Sequence, residues 1–352
     1  MPSRTPALGA AQFRLLEKLC NAVGVSGAEA EVRRVVLDEI KSYVDELEVD
    51  ALGNLLATKT GGGAKRLRVM LDAHMDEVGF ILVAEDGEGL YRFKIVGGID
   101  PRNLAGKQVV VGKERKPGVI GAKPIHHTTP DERKKPLAED ALRIDLGPES
   151  KIKAGERGTF APNFQRVGPS LMSKSLDNRL GVATLIELLK FSYSNLDLCA
   201  AFTVQEEIGL RGAKVGAQHF KPDLAIVIDS TPANDLPMQF ESENISYNTR
   251  LGLGPAIYVS NASTMDDPRL VGFMRDVAEK AGIPYQIRQP GGGGTNAGGI
   301  QRTGAGVPVV SVSIPHRYTH SALSVARIED WKNTLALLHT AVQQITPALL
   351  RR

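Results

Sequence analysis

Cysteine is nearly absent from this sequence. The 352 residues contain two, Cys20 and Cys199, and neither sits in a paired motif. A disulfide framework is therefore not expected. Long apolar runs are missing too. No stretch approaches membrane-spanning length, and "MPSRTPALGA" has no hydrophobic signal region, so the expectation is a soluble, cytoplasmic protein. Nor is there an excess of charge of one sign: 43 basic and 40 acidic residues leave a formal +3, scattered along the chain. That near-balance argues against a nucleic-acid or membrane partner. Internal repeats are absent. The glycine runs at 61–63 and 291–294 are too short for linkers; the first reads as a hairpin turn and the second as a loop entering a helix.

What is present is the composition of a globular protein, with 42% hydrophobic and 24% charged residues. The length suits two domains, or one domain with a large insertion. Both ends of the chain alternate helix and strand patterns. "AEVRRVVLDEIKSY" places Val32, Val35, Val36 and Ile40 on one helical face. "ELEVDALGNLLAT" reads as two short strands about a turn at Gly53–Asn54, and "RLRVMLDAH" as a strand running into His74. From about Glu77 to Gln165 the helical period stops. Only short strands follow, "VGFILVAE", "LYRFKIVG", "QVVVG", "GVIGA" and "ALRIDLG", with "HHTTPDERKKPLAED" as an exposed loop. That texture suggests a small β-barrel or sandwich. Alternation resumes at "SLDNRLGVATLIELLKFSY" and continues to the last helix, "WKNTLALLHTAVQQI". The economical division is an α/β domain from residues 1–76 and 166–352, with a β-domain inserted at 77–165.

In open α/β sheets, ligands gather beyond the carboxyl ends of the strands. Those ends read "LDAHMDE", "VQEE", "VIDS" and "SIPHRYTHS", and Asp177 in "SLDNRLG" stands just before a helix. His74, Asp177, Glu206, Glu207, Asp229 and His320 form the mixed N/O donor set that suits Zn²⁺ or Co²⁺ better than Mg²⁺. Two ions would explain the surplus of carboxylates, because one carboxylate can bridge both. Each element has an ordinary reading of its own. His74 and Asp76 could be a hydrogen-bonded pair, adjacent glutamates a solvated face, Asp229 a helix N-cap, and His320 a surface histidine. His126, His127 and His316 read as non-ligands. It is the coincidence at one end of one sheet that argues for a metal centre.

Taken in order, "AHMDEVGF", "GVIGAKPIHH", "SLDNRLG", "VQEEIGLRGA", "IDS", "GGGGTNAGGIQ" and "IPHRYTHS" resemble the dinuclear-metal aminopeptidases of metallopeptidase family 42. That family includes glutamyl and deblocking aminopeptidases and the tetrahedral (TET) peptidases, and some relatives are labelled endoglucanases. The resemblance covers nearly the whole chain. It implies a zinc-exopeptidase-like mixed sheet flanked by helices, with an inserted β-barrel. It also implies that Asp177 bridges two divalent ions, Zn²⁺ first, with Co²⁺ or Mn²⁺ as alternatives. His74 and Asp229 would complete one site, Glu207 and His320 the other. Asp76 would fix the His74 ring, the Asp177–Asn178 peptide would be cis, and Glu206 would be the general base. Asn296 stands where many relatives have Asp, and "IDS" continues as "TPANDLP"; both departures point to an altered substrate pocket.

On this reading the chain removes N-terminal residues from short peptides. Glu206 takes a proton from a metal-activated water, the ions stabilise the oxyanion, and one ion holds the substrate's free α-amine. The inserted domain would build dimers, and six dimers a hollow dodecamer. The rivals are a related dinuclear deacylase or carboxypeptidase, a glycoside hydrolase, which ordinarily needs no metal, and a non-catalytic scaffold.

Overall fold

The long central strands alternate side chains between two buried layers. The structure, a computed structural model, describes residues 6–64, 66–237, 248–289 and 292–351. After helices α1 (Ala10–Asn21) and α2 (Ala30–Ile40) come β1 (Glu46–Val49), β2 (Leu55–Lys59) and β3 (Leu67–His74). Asp50 closes the turn between β1 and β2 by accepting the N–H groups of Leu52, Gly53 and Asn54. Along β3, Val69, Leu71 and Ala73 face one apolar cluster while Met70 faces another. Both faces are buried, as parallel strands between helices require.

The chain then leaves the sheet to build strands β4 (Gly79–Gly87), β5 (Leu90–Val96), β6 (Gln108–Val111), β7 (Lys116–Gly121), β8 (Arg143–Asp145) and β9 (Arg157–Phe160). They close into an antiparallel barrel in the order β4-β5-β8-β7-β6-β9. Its interior is aromatic at one point, where Phe80 meets Phe93 and Phe160 edge-to-face with centroids 5.3 Å apart. Five of these strands follow the sequence expectation. The sixth, β9, has only "RGTF" to announce it, yet it closes the barrel by pairing with both β4 and β6. The polar stretch between β7 and β8 is exposed and contains three short helical turns, of which the middle one, α3 (Pro130–Arg133), is capped by Thr129 and Glu132.

Strands β10 (Gln165–Val167) and β11 (Ser170–Ser173) return to the sheet. There follow α4 (Leu176–Leu189), β12 (Leu196–Thr203), α5 (Arg211–Phe220), β13 (Leu224–Pro232), β14 (Ala256–Ile257), α6 (Pro268–Ala281), β15 (Gln286–Ile287), α7 (Ala297–Gln301), β16 (Val309–Arg317), β17 (Ser324–Arg327) and α8 (Ile328–Gln344). Among the described residues the sheet has eleven strands, ordered β1-β2-β12-β3-β13-β16-β17-β11-β10, with β14 beside β16 and β15 beside β14. Its centre, β12-β3-β13-β16, is parallel. Helices α1, α2, α4, α6 and α8 cover one face and α5 and α7 the other. The α5 face carries small residues, so that helix lies close: a Cβ at Gly212 would come within 2.4 Å of the Val204 carbonyl oxygen.

One expected turn is overturned. Glycines 61–63 do not make a hairpin, because β12 lies between β2 and β3 and the chain must cross it. Gly291 of the second run lies outside the described residues; the loop does lead into α7. Among the described residues both cysteines are free and buried, and no helix is long and apolar enough to cross a membrane.

Candidate metal centre

Parallel pairing brings the carboxyl ends of the central strands level. His74, at the end of β3, lies opposite Thr203 on β12, and Asp229 lies near the end of β13. Asp177 enters from the start of α4, where two residues depart from helical geometry and the Asp177–Asn178 peptide is cis. Asn178 pins this start against β13 by donating to the Ile228 carbonyl at 2.8 Å and accepting from Gly181 N–H. His320 follows β16 in a left-handed conformation, φ 56°.

Two groups result. One ligand atom from each of His74, Asp177 and Asp229 lies within 4.8 Å of the others, and the same holds for Asp177, Glu207 and His320. Asp177 belongs to both. His74 Nε2 is 3.3 Å from Asp177 Oδ1 and 3.4 Å from Asp229 Oδ1. His320 Nε2 is 3.0 Å from Glu207 Oε2 and 3.6 Å from Asp177 Oδ2. The other nitrogen of each ring faces an acceptor. His74 Nδ1 lies 3.2 Å from the Asp76 carbonyl oxygen, and His320 Nδ1 lies 2.9 Å from the Gly98 carbonyl oxygen in the loop after β5. A carbonyl only accepts, so the ring proton belongs on Nδ1 and Nε2 is aimed at the carboxylates.

The electrostatics favour a cation. Burial opposes charge on His74, yet Asp177, Asp229 and Asp76 together raise its pKa well above the ordinary value. His320 is pushed up to about 11 by Glu207 and Asp177, against its own burial. Burial raises Asp229 and Glu207, while the two imidazoles outweigh burial at Asp177 and hold it well below the usual range. Buried carboxylates converging on imidazole nitrogens fit divalent ions with N and O ligands.

The two glutamates do not end a strand, as the sequence suggests. Strand β12 stops at Thr203, and Gln205 is left-handed at φ 57°. Asp76 holds the turn that follows: its carboxylate accepts the N–H of Glu206 at 2.9 Å, the N–H of Glu207 at 3.2 Å and the Ser26 hydroxyl at 2.6 Å. The turn, rather than strand alternation, sends the side chains different ways. Glu207 goes to His320. Glu206 makes no side-chain hydrogen bond among the described residues, and burial raises its pKa well above the ordinary value.

Comparison with known proteins now decides the family. A sequence profile described as M42 glutamyl aminopeptidase matches residues 53–337. The chain belongs to that family. A putative aminopeptidase of Acetivibrio thermocellus is 37% identical over 94% of this chain and 98% of its own length. The solved structure of an aminopeptidase from the archaeon Desulfurococcus kamchatkensis superposes with a TM-score of 0.91 at 32% identity, covering 97% of both chains. The TET1 peptidase of Pyrococcus horikoshii, described as assembling into a tetrahedron or a large octahedral shell, superposes with a TM-score of 0.82 at 32% identity, over 95% of this chain and all of that one. M42 peptidases are metallopeptidases, so the chain is a peptide hydrolase of that kind.

In this M42 chain the grouped residues open onto a cavity of about 410 Å³. Its far walls come from Leu210, Pro232, Tyr258, Arg288 and glycines 292–294. Asn296 is not among its lining residues. It is buried beneath β3, donating to Asp72 at 2.7 Å and to the Thr203 hydroxyl at 2.9 Å, so this departure alters the floor rather than the pocket wall. Ser230 and Pro232, from the divergent "IDSTPANDLP", do line the cavity. His316 is buried on β16 outside both groups, and His126 and His127 lie on the exposed stretch between β7 and β8.

Sequence reasoning missed Glu77. This buried carboxylate accepts Lys174 Nζ at 2.7 Å, Gly24 N–H at 2.9 Å, Thr159 Oγ1 at 3.0 Å and the Ser175 hydroxyl, with Arg179 at 3.3 Å. Arg179 also donates to the carbonyls of Leu19 and Met75. The network ties the end of β3, the barrel strand β9 and the residues flanking Asp177 into one unit. Its signal was present as a second acid in "HMDE" and as Lys174 just before "SLDN".

Proposed function

We propose that this protein is an aminopeptidase that removes N-terminal residues from short peptides with two divalent ions, Zn²⁺ first and Co²⁺ or Mn²⁺ as alternatives. The observation that carries this reading is the pair of candidate ligand groups sharing Asp177, beside which the Glu206 side chain has no hydrogen-bond partner among the described residues. His74 and Asp229 would hold one ion, Glu207 and His320 the other. When bound, such ions supply Lewis acidity for the scissile carbonyl and lower the pKa of water.

The chain's own residues do the rest. Glu206 accepts a proton from the attacking water and returns it to the leaving amine nitrogen. Burial raises its pKa, which suits it to hold that proton between the two transfers. Asp76 keeps His74 aimed through Nδ1 and keeps Glu206 and Glu207 apart through their N–H groups. The division of residues remains 1–76 with 166–352 for chemistry, and 77–165 for assembly and access. A homo-oligomer is proposed, with a dimer as the minimum and a dodecamer as the full form. Its support is the likeness to the shell-forming TET1 peptidase and the exposed apolar side chains of the inserted segment, Val83, Val119, Ile125 and Leu137. A cytoplasmic setting suits two free thiols.

The test combines metal analysis with a substrate panel. Two ions per chain, and hydrolysis of free but not N-terminally blocked peptides, are expected. Preference for blocked substrates would favour a deacylase, and turnover unaffected by a chelator would end the metal reading. Light scattering with metal present tests assembly; a monomer across micromolar concentrations would exclude it.

A further inference from the structure

Away from the ligand groups, the seam between α2 and the barrel holds a cavity of about 840 Å³, larger than the 410 Å³ cavity beside them. That volume falls within the roughly 300–1,000 Å³ of small-molecule sites. Its charged walls come from three segments: Glu31 and Arg34 on α2, Lys113 and Arg115 in the turn between β6 and β7, and Glu156 and Arg157 at the start of β9. Four cations against two acids leave a net +2. One acid is already engaged, because Glu31 pairs with Arg115 across the seam. Among the described residues Arg34, Lys113 and Arg157 have no ion pair. Arg157 donates from Nη1 to the Gly155 carbonyl at 2.7 Å, but its Nε is buried and has no hydrogen-bond partner. Cations gathered around one concavity repel each other and focus a potential that attracts anions. A buried N–H without an acceptor adds a further cost. Both costs fall when an anion enters.

Charge and shape choose the anion. A guanidinium matches a phosphate with a fork of parallel N–H donors, and a lysine adds a point charge. A phosphate monoester brings about −1.5 to −2 of charge and three acceptor oxygens, which balances the lining, whereas one carboxylate leaves half of it unanswered. Val23, Ala28 and Ala30 give the cavity an uncharged side with room for an organic group. The wall also belongs to the segment that supports the Glu206 turn. Gly27 and Ala28 line the cavity, and a Cβ at Gly27 would stand 3.7 Å from Arg157 Nη2. In that same segment, Ser26 donates to Asp76 at 2.6 Å, and one oxygen of Glu29 accepts the N–H of Gly27 at 2.7 Å and of Gln205 at 3.2 Å. Asp76 in turn accepts the N–H groups of Glu206 and Glu207. We propose that the seam cavity binds a small phosphate-bearing anion through Arg157, Arg34 and Lys113, and that the bound anion steadies residues 26–29 and so raises turnover. The binding half rests on the cavity alone, and the turnover half rests on the aminopeptidase reading.

The experiment titrates the metal-loaded, full-length protein calorimetrically with inorganic phosphate, glycerol phosphate and AMP, using glycerol and adenosine as uncharged controls. The phosphates are expected to bind and the controls not. Tighter binding of glycerol phosphate or AMP than of inorganic phosphate identifies an organic monoester as the occupant, and the reverse order a free phosphate. Arg34→Glu combined with Lys113→Glu reverses two exposed charges outside the metal centre. This double variant should bind phosphate at least about tenfold more weakly while its basal kcat is unchanged. Arg157→Met should weaken binding too, and the double variant decides the matter if that chain fails to fold. Phosphate held by metal ions competes with substrate and raises KM, whereas occupation of the seam should raise the wild-type kcat at least about twofold and leave the double variant unmoved. Ser26→Ala should still bind phosphate and lose the rise in kcat. No binding by the wild type, or the same affinity and stoichiometry in the double variant, would overturn the site. Binding with an unchanged kcat would overturn the coupling. Absence of turnover on every substrate and metal would fail the aminopeptidase reading and leave the titration to judge the site.

Discussion

The parallel centre of the sheet and the inserted barrel reach stability by different routes. Strands β3, β12 and β13 are buried on both faces between helices, and every second residue serves a different core. The barrel strands bury one face around a small shared interior and turn the other outward. The candidate ligand residues gather around the carboxyl ends of the first kind of strand, two on the strands themselves and three in the turns and helix start beside them. There the carboxyl ends are level, and the Glu206–Glu207 turn is held from behind by the Asp76 carboxylate. The barrel contributes no imidazole or acid to the two ligand groups. It contributes instead the Gly98 carbonyl that orients His320 and the Thr159 hydroxyl that helps hold Glu77. The lesson is that the barrel acts on the site through the orientation of groups it does not own.

That comparison can be broken first at the chemistry. Glu206→Gln is expected to lower kcat by roughly 10³-fold or more while metal analysis still finds two ions per chain. Glu207→Gln, its neighbour, should lose one ion. Equal loss of metal in both variants would remove the division of labour between them.

The joint between the two regions comes next. Glu77→Ala leaves Lys174 and Arg179 buried without their carboxylate, and chemical denaturation should show a loss of about 3–5 kcal/mol. If the barrel were independent of the sheet, only one part of a two-step unfolding curve would move; a shift of the whole curve is expected. A smaller effect tests the barrel's reach into the site. A Cβ at Gly98 would stand 3.3 Å from His320 Nδ1, so Gly98→Ala should displace the ring. We expect about tenfold weaker binding of one ion, with the other unaffected, by competition with a chelator.

The smallest effect lies within the sheet region, away from the barrel. Burial pushes Asp266 up to about 7 from the ordinary 3.8, so the folded chain keeps a proton that the unfolded chain releases. The stability this contributes is complete below the unfolded value and is lost as pH rises toward the folded one. Asp266→Asn keeps an acceptor for Ser311 and should flatten the fall in stability between pH 5 and 8 by on the order of 2 kcal/mol. An unchanged pH profile would remove Asp266 as its source.

Much of the sheet was legible because its signals are local. An apolar run ending in His74, Glu206 or Asp229 announces both a buried strand and a polar group at its end, and the order of such runs locates one edge of a sheet. The inserted segment was legible as short strands for the same reason, through Gly and Pro turns. Strand β9 was not: four residues gain strand character only when β4 and β6 offer their edges. The hairpin read at glycines 61–63 failed because pairing partners are chosen across the whole chain.

The sequence by itself determined the alternation of the two buried layers, the inserted segment and the set of candidate ligands, since side-chain period and donor chemistry are written residue by residue. Tertiary structure alone decided that Asp177 stands between two groups, that Asp76 holds the Glu206–Glu207 turn by its N–H groups, and that Glu77 gathers charges about 100 residues away in sequence. It also decided that, among the described residues, Arg288 lines the cavity hydrogen-bonded to neutral partners only. The physical reason is that hydrogen bonding and ion pairing act over about 3 Å in space, and which residues come that close depends on how the strands are ordered.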